Sequence, residues 1–280
     1  MRDKAFLRSL TAMTSIVAAV AAAVLMLPAP VSAQWMKSSD GSIPRTRDGK
    51  PNLSAPAPKS RDGKPDLSGV WLADREATSN RINVENMPFS RFFIDVTADL
   101  KPAEAPFQPW AAALFRQRLQ DGGQGSPTAH CQPTGMPRIN TSPVPFKIVQ
   151  TPRLIVILYE EETVFRQIFL DGRQPVRDPQ KRWMGYSSGK WDGDTLVVDT
   201  TGFNGRGWLD GMGHPQSDAM HVIERFRRAD AGHLEIEMTI DDPKAYTKPF
   251  TYTQKVTLIP DEDLLEYFCS ENEKDVEHFK

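Results

Sequence analysis

Cysteine is scarce in this 280-residue chain: only Cys131 and Cys269 occur, and neither sits in a Cys-x-x-Cys pair. That excludes an all-cysteine zinc site and a thioredoxin-type redox motif. No Lys/Arg-rich block is present, and 34 basic residues face 36 acidic ones, so the concentrated basic face of a nucleic-acid binder is missing. There is no Gly-x-Ser-x-Gly elbow, phosphate loop, dinucleotide fingerprint or His-Glu-x-x-His pair, so no cofactor is implied. Asp171-Gly172-Arg173 and Asp192-Gly193-Asp194 are turn sequences, too short for a calcium loop that ends in a distant carboxylate.

What is present begins with a targeting signal. Arg2, Lys4 and Arg8 precede an apolar run from Ala12 to Leu27, then Pro28, Pro30 and the small-residue site Val31-Ser32-Ala33. Residues 1–33 read as a secretory signal peptide, with a membrane anchor as the competing reading. Cleavage leaves no membrane span and places the protein in the periplasm or outside the cell. Removing Arg2, Lys4, Arg8 and Asp3 leaves 31 basic residues against 35 acidic ones. In an oxidising compartment the favoured reading of Cys131 and Cys269 is a disulfide, closing a loop worth on the order of 4 kcal/mol in the chain-entropy model; two separate buried thiols are the alternative.

From Gln34 to Ser68 the chain is rich in Pro, Ser, Lys, Asp and Gly, and Arg-Asp-Gly-Lys-Pro-Asn/Asp-Leu-Ser occurs twice, at Arg47 and Arg61. This composition predicts a disordered leader, 34–68, carrying a duplicated turn. Only the second copy runs on into Gly69-Val70-Trp71, which opens the folded domain, 69–280. Residues 75–144 are broken by eight prolines from Pro88 to Pro143 and read as an irregular cover with one helix. Pro109 suits its first turn, Trp110, Ala113, Leu114 and Gln117 lie at helical spacing, and Gly122-Gly123 stops it.

After Phe146 the pattern becomes β-branched and aromatic runs between turn signals. Strands are expected near 148–150, 154–159, 164–170, 184–191, 195–200, 219–228, 234–240, 250–258 and 264–268. Eight or more strands joined by tight turns favour a mainly β fold, an antiparallel up-and-down barrel, over a β-sandwich. In such a barrel a Gly-x-Trp at the first strand packs its indole across the floor.

Several longer strings resemble a family of exported bacterial proteins with lipocalin-like barrels: Asp62-Gly63-Lys64-Pro65-Asp66-Leu67-Ser68-Gly69-Val70-Trp71, Trp183-Met184-Gly185-Tyr186-Ser187 and Trp191-Asp192-Gly193-Asp194-Thr195-Leu196-Val197-Val198. Asp241-Asp242-Pro243-Lys244-Ala245-Tyr246-Thr247-Lys248-Pro249 and Leu265-Glu266-Tyr267-Phe268-Cys269 belong to the same set. The resemblance implies export and a barrel but no activity. Its members often carry a second histidine where this chain has Gln216, which weakens a metal reading of that segment.

Ligand-type residues cluster at His214, Asp218, His221 and Glu224. Their spacing suits a helix, but the segment alternates as a strand, with Met220, Val222, Glu224 and Phe226 on one face and His221 on the other. No metal site is therefore expected, and the histidines belong at the surface or rim. Glu224 on an apolar face needs a partner; Arg166, between Val164 and Ile168, is the economical one. The lumen is expected to hold a small, largely apolar molecule, with Trp183, Trp191, Trp208, His214 and His221 as contacts. The rival readings are an enzyme using Glu224 with Arg166 or Tyr186 for hydration, isomerisation or hydrolysis, and a surface or matrix interaction protein.

Overall fold

Period-two alternation builds the molecule. The computed structural model describes residues 41, 43–74, 95–97, 100, 105–173 and 180–269; the expected signal peptide and parts of the expected cover, including 75–94, lie outside them. Nine strands follow in order: β1 (Gly69–Ala73), β2 (Phe146–Gln150), β3 (Leu154–Tyr159), β4 (Phe165–Phe169), β5 (Tyr186–Asp192), β6 (Thr195–Thr201), β7 (His221–Arg228), β8 (His233–Asp241) and β9 (Phe250–Leu258). Each pairs with the next, and β9 pairs back onto β1, which closes a barrel and excludes the sandwich.

The antiparallel expectation needs one correction, because β4 and β5 run parallel. Parity explains it. A ring of nine strands cannot alternate direction all the way round, so an antiparallel closure of β9 on β1 requires one parallel pair. A parallel neighbour needs a long connection, and residues 170–185 separate the two strands in the sequence. The pairing there is short: only Ile168 with Ser187 and Phe169 with Ser188. The barrel wall is thinnest at this seam.

Inward positions carry the core: Ile155 and Ile157 on β3, Leu196 and Val198 on β6, Val222 and Phe226 on β7, Ile236 and Met238 on β8, Val256 and Leu258 on β9. At the floor Trp71 is fully buried, its indole N–H donating to the Leu67 carbonyl at 3.0 Å and the Arg228 guanidinium lying 4.9 Å from its ring. Gly69 adopts φ +137, a backbone region that other residues rarely enter, and a Cβ there would also displace the end of the Leu258 side chain.

The described part of the leader, 43–68, is not disordered, contrary to the composition reading. Each copy of the repeat folds as a small hairpin, bridged Arg45 to Pro51 and Lys59 to Pro65. In each, a hydroxyl (Thr46 or Ser60) meets the Asp of its turn at 2.5 Å. The hairpins dock on the floor through Gly232 N–H to the Leu53 carbonyl, Ala231 N–H to the Ala55 carbonyl, and Gln150 to Leu67 and Pro65. Composition misleads because the barrel supplies the other half of the buried surface: Ile43, Ala55 and Leu67 are buried against it.

The opposite end is covered by the Pro-rich segment. Helix α1 (Pro109–Gln120) has its proline in the first turn and stops before Gly122, which adopts φ +62. A 3₁₀ turn, Arg138–Thr141, is buried throughout. Cys131 and Cys269 form a disulfide with Cα atoms 5.5 Å apart, tying this cover to the C-terminal segment. Residues 264–268, expected as a strand, run outside the sheet. Leu265 N–H donates to Glu160, and Tyr267 exchanges hydrogen bonds with Thr163.

Candidate functional site

Alternation on β4 sends Arg166 and Ile168 inward and leaves Phe165, Gln167 and Phe169 outside. On β7 it sends Val222, Glu224 and Phe226 inward. Arg166 and Glu224 meet in the lumen, at 2 % and 0 % exposure. The guanidinium grips both carboxylate oxygens, with Nη1 donating to Oε1 at 2.9 Å and Nη2 to Oε2. It also donates from Nε to Ser187 Oγ at 3.0 Å and from Nη2 to Thr200 Oγ1 at 2.9 Å. Burial disfavours the cation, but Glu224 more than offsets this by charge and hydrogen bonding, so the Arg166 pKa lies above its usual value.

The 3₁₀ turn completes the network. Asn140 Nδ2 donates to Glu224 Oε1 at 3.3 Å, its carbonyl oxygen accepts from Gln254, and Tyr159 donates to Asn140 Oδ1 at 2.6 Å. Burial pushes the Tyr159 phenol up. The centre of the lumen is thus occupied by the protein's own side chains and by the inserted cover.

Beside this network, at the seam of β4 and β5, lies a cavity of about 380 Å³. Its apolar walls are Phe165, Phe169, Trp183 and Tyr186, with Val164, Met184 and Pro133; Arg166 and Ser187 form its inner end and Arg182 stands among its lining residues. Phe169 and Tyr186 stack with centroids 5.4 Å apart, and Phe165 is 61 % exposed. The segment before β5 keeps the opening in place. Trp183 C=O accepts from Met136 N–H at 3.1 Å, and Gly185, at φ +63, approaches the Thr201 carbonyl so closely that a Cβ would lie 2.9 Å from it.

The other expected contacts lie elsewhere. Trp191 packs on the core and Trp208 is buried with the Arg118 and Arg138 guanidinium groups 4.6 and 5.5 Å from its ring. His221 faces outward, its Nε2 3.1 Å from Asp199 Oδ1. Asp218 pairs with Lys181 and Lys244 at the surface. Tyr186 is on the outer side of the wall from Glu224. The four residues His214, Asp218, His221 and Glu224 do not converge.

His214 is the larger correction. It is not at the rim but 1 % exposed, under Phe107 and Phe115, whose rings stack on it at 5.6 and 4.1 Å. Its Nδ1 contacts Asp210 Oδ2 at 2.7 Å and its Nε2 contacts Thr97 Oγ1 at 3.2 Å, with Asp95 Oδ1 at 4.0 Å. Thr97 donates to Asp95 at 2.8 Å, so the imidazole Nε2 must be the donor to Thr97, and the ring is an imidazolium. Burial pushes its pKa down, but Asp210 by charge and hydrogen bond, and Asp95 by charge, outweigh that and the opposing Arg118, so the pKa is raised.

Ligand-type atoms of Asp95, Asp210 and His214 lie within 4.8 Å of one another. Asp210 already accepts from the N–H groups of Val96, Met212, Gly213 and His214 as well as from the ring. Its lone pairs are committed, and the cluster is an internal salt bridge rather than a cradle for an ion. A hydroxyl–imidazole–carboxylate order is formally present in Thr97, His214 and Asp210, but the Thr97 proton is held by Asp95. This cluster escaped sequence reasoning, because Asp95, Asp210 and His214 belong to loops that only the fold brings together.

Among the described residues no helix is long and apolar enough to cross a membrane. Comparison of the chain with models of known protein families, with curated proteins and with solved structures returns no match.

Proposed function

We propose that this chain is an exported, lipocalin-like barrel protein that binds a small, largely apolar molecule, and that the molecule sits at the β4–β5 seam rather than in the middle of the lumen. One observation carries the reading: the aromatic cavity at the thinnest part of the wall, with a charge pair at its inner end. Its volume is at the small end of the range for ligand pockets, and its lining, aromatic with a few polar groups, is the usual composition. The disulfide supports an oxidising compartment. The enzyme reading finds little support, because a general acid or base must reach its substrate, and Glu224 is fully buried with both oxygens engaged.

Titration with N-phenyl-1-naphthylamine, a neutral apolar fluorophore, tests the proposal. One saturable site per chain is expected. Phe165→Ser, at an exposed position that leaves folding intact, and Trp183→Ala should each weaken it about tenfold, the equivalent of ~1.4 kcal/mol. Absence of binding, or binding indifferent to both changes, overturns the reading.

A further inference from the structure

We infer that the pocket's ligand is a planar aromatic monoanion, an aryl carboxylate or sulfonate, whose charge is received by Arg182; the inference rests on the seam being the binding site. The charge census of the lining leads there. Among the described lining residues the charged ones are Arg166 and Arg182, and no Asp or Glu is among them. Arg166 is neutralised by Glu224, leaving Arg182 as the lining charge with no ion-pair partner among the described residues.

Three neighbouring cations among the described residues have partners. Lys181 pairs with Asp218. Arg173 pairs with Asp171 and lies 3.9 Å from the Phe169 ring. Arg206 donates to Gln132 at 3.2 Å and lies 5.1 Å from the Trp183 ring. Arg182 has an exposed side chain that makes no ion pair or hydrogen bond with another described residue. Yet its backbone is fixed: its N–H donates to Gly202 at 2.9 Å, its carbonyl accepts from Asn204 at 3.0 Å, and it bridges Phe203.

The fixed backbone keeps Arg182 at the cavity that it helps to line, where its guanidinium can meet a bound anion. A guanidinium presents parallel donors that match the two oxygens of a carboxylate or sulfonate, which a point-like ammonium does not. Aromatic walls favour a flat apolar body over a flexible chain. Anionic head and flat body together define the ligand class.

Two fluorophores of one skeleton separate the parts of this argument: 8-anilino-1-naphthalenesulfonate, which carries the anion, and N-phenyl-1-naphthylamine, which lacks it. Arg182→Gln should weaken the sulfonate probe about five- to tenfold, leave the neutral probe within about twofold, and thus remove roughly 1–1.4 kcal/mol of binding to the anion alone. Arg182→Lys should restore only part of the loss. An Arg182→Gln protein that binds both probes as the wild type does, or loses both equally, overturns the anion inference while leaving the seam as the site. A wild-type protein that binds neither probe overturns the site and this inference together. The melting temperature of Arg182→Gln, expected unchanged at an exposed position, guards against reading misfolding as lost affinity.

Discussion

Two buried ion pairs sit in the covered half of this barrel, and they differ in what they respond to. Arg166–Glu224 joins two strands across the lumen, and its cation cannot be deprotonated in the accessible pH range. Asp210–His214 joins positions within one loop under helix α1, and its cation has an ordinary pKa near neutrality. Both pairs lie out of contact with water. The first is a strut whose cation alkali does not remove, whereas the cation of the second is one that alkali can remove. The comparison separates burial, which the pairs share, from titratability, which they do not.

Breaking the lumen strut should give the largest effect. Glu224→Gln or Arg166→Met alone leaves a buried charge uncompensated, and a loss of about 3–5 kcal/mol is expected in urea unfolding. The double variant should lie closer to wild type than either single one, because no orphan charge remains. In the double variant Ser187 and Thr200 still lose the Arg166 donors, so full recovery is not expected. Additive single losses in the double variant would show that the pair is solvated in solution and that the network described here is not what stabilises the barrel.

The His214 strut should give a smaller, pH-dependent effect. The His214 pKa is raised in the fold, so its contribution is complete below the unfolded value near 6.5 and is lost as pH rises through the folded value. Asp210 is opposite in sign. Burial pushes its pKa up, but His214 and the backbone donors outweigh this and lower it, so its contribution is complete above about 3.9 and is lost as pH falls through the folded value. The pair is strongest in the window between. Wild-type stability should therefore decline on the alkaline side, and His214→Gln should flatten that decline while costing about 1–3 kcal/mol at pH 6. Four backbone N–H groups still hold Asp210 in the variant, which is why this loss is smaller than that of the lumen pair.

The same contrast explains what could be read in the sequence. Arg166 and Glu224 lie on strands, where each residue's face follows from its neighbours; β3 and β9 were legible to the residue for the same reason, and the lumen pairing followed from two such faces. His214, Asp210 and Asp95 lie where no period applies. Trp183 and Tyr186 were legible as aromatics at a strand end, but their assembly into a cavity depends on the parallel β4–β5 step, which becomes visible only once nine strands are counted and closure is required. The leader hairpins were missed because the residues that bury Ile43 and Leu67 belong to the barrel floor, distant in sequence.

The smallest expected effect sharpens the comparison most. Asp95 does not touch His214 directly: its Oδ1 is 4.0 Å from Nε2, with Thr97 between them. Asp95→Asn should therefore change stability at pH 6 by no more than about 1 kcal/mol, since the Thr97 hydroxyl can still be accepted by the amide oxygen. It should, however, move the alkaline decline to lower pH, because one of the two carboxylates that hold the His214 pKa up has gone. The shift can be followed directly by NMR of the His214 ring protons against pH, alongside melting temperatures. In the Arg166–Glu224 network the corresponding change, Asn140→Ala, should lower stability without adding a dependence on mildly alkaline pH, because its hydrogen bonds to Glu224 and Tyr159 involve no histidine cation. If Asp95→Asn leaves the ring titration where it was, Asp210 is the carboxylate that holds the imidazolium and Asp95 is not part of the strut. If Asn140→Ala instead introduces an alkaline dependence, the lumen pair is not the alkali-indifferent element that its arginine makes it.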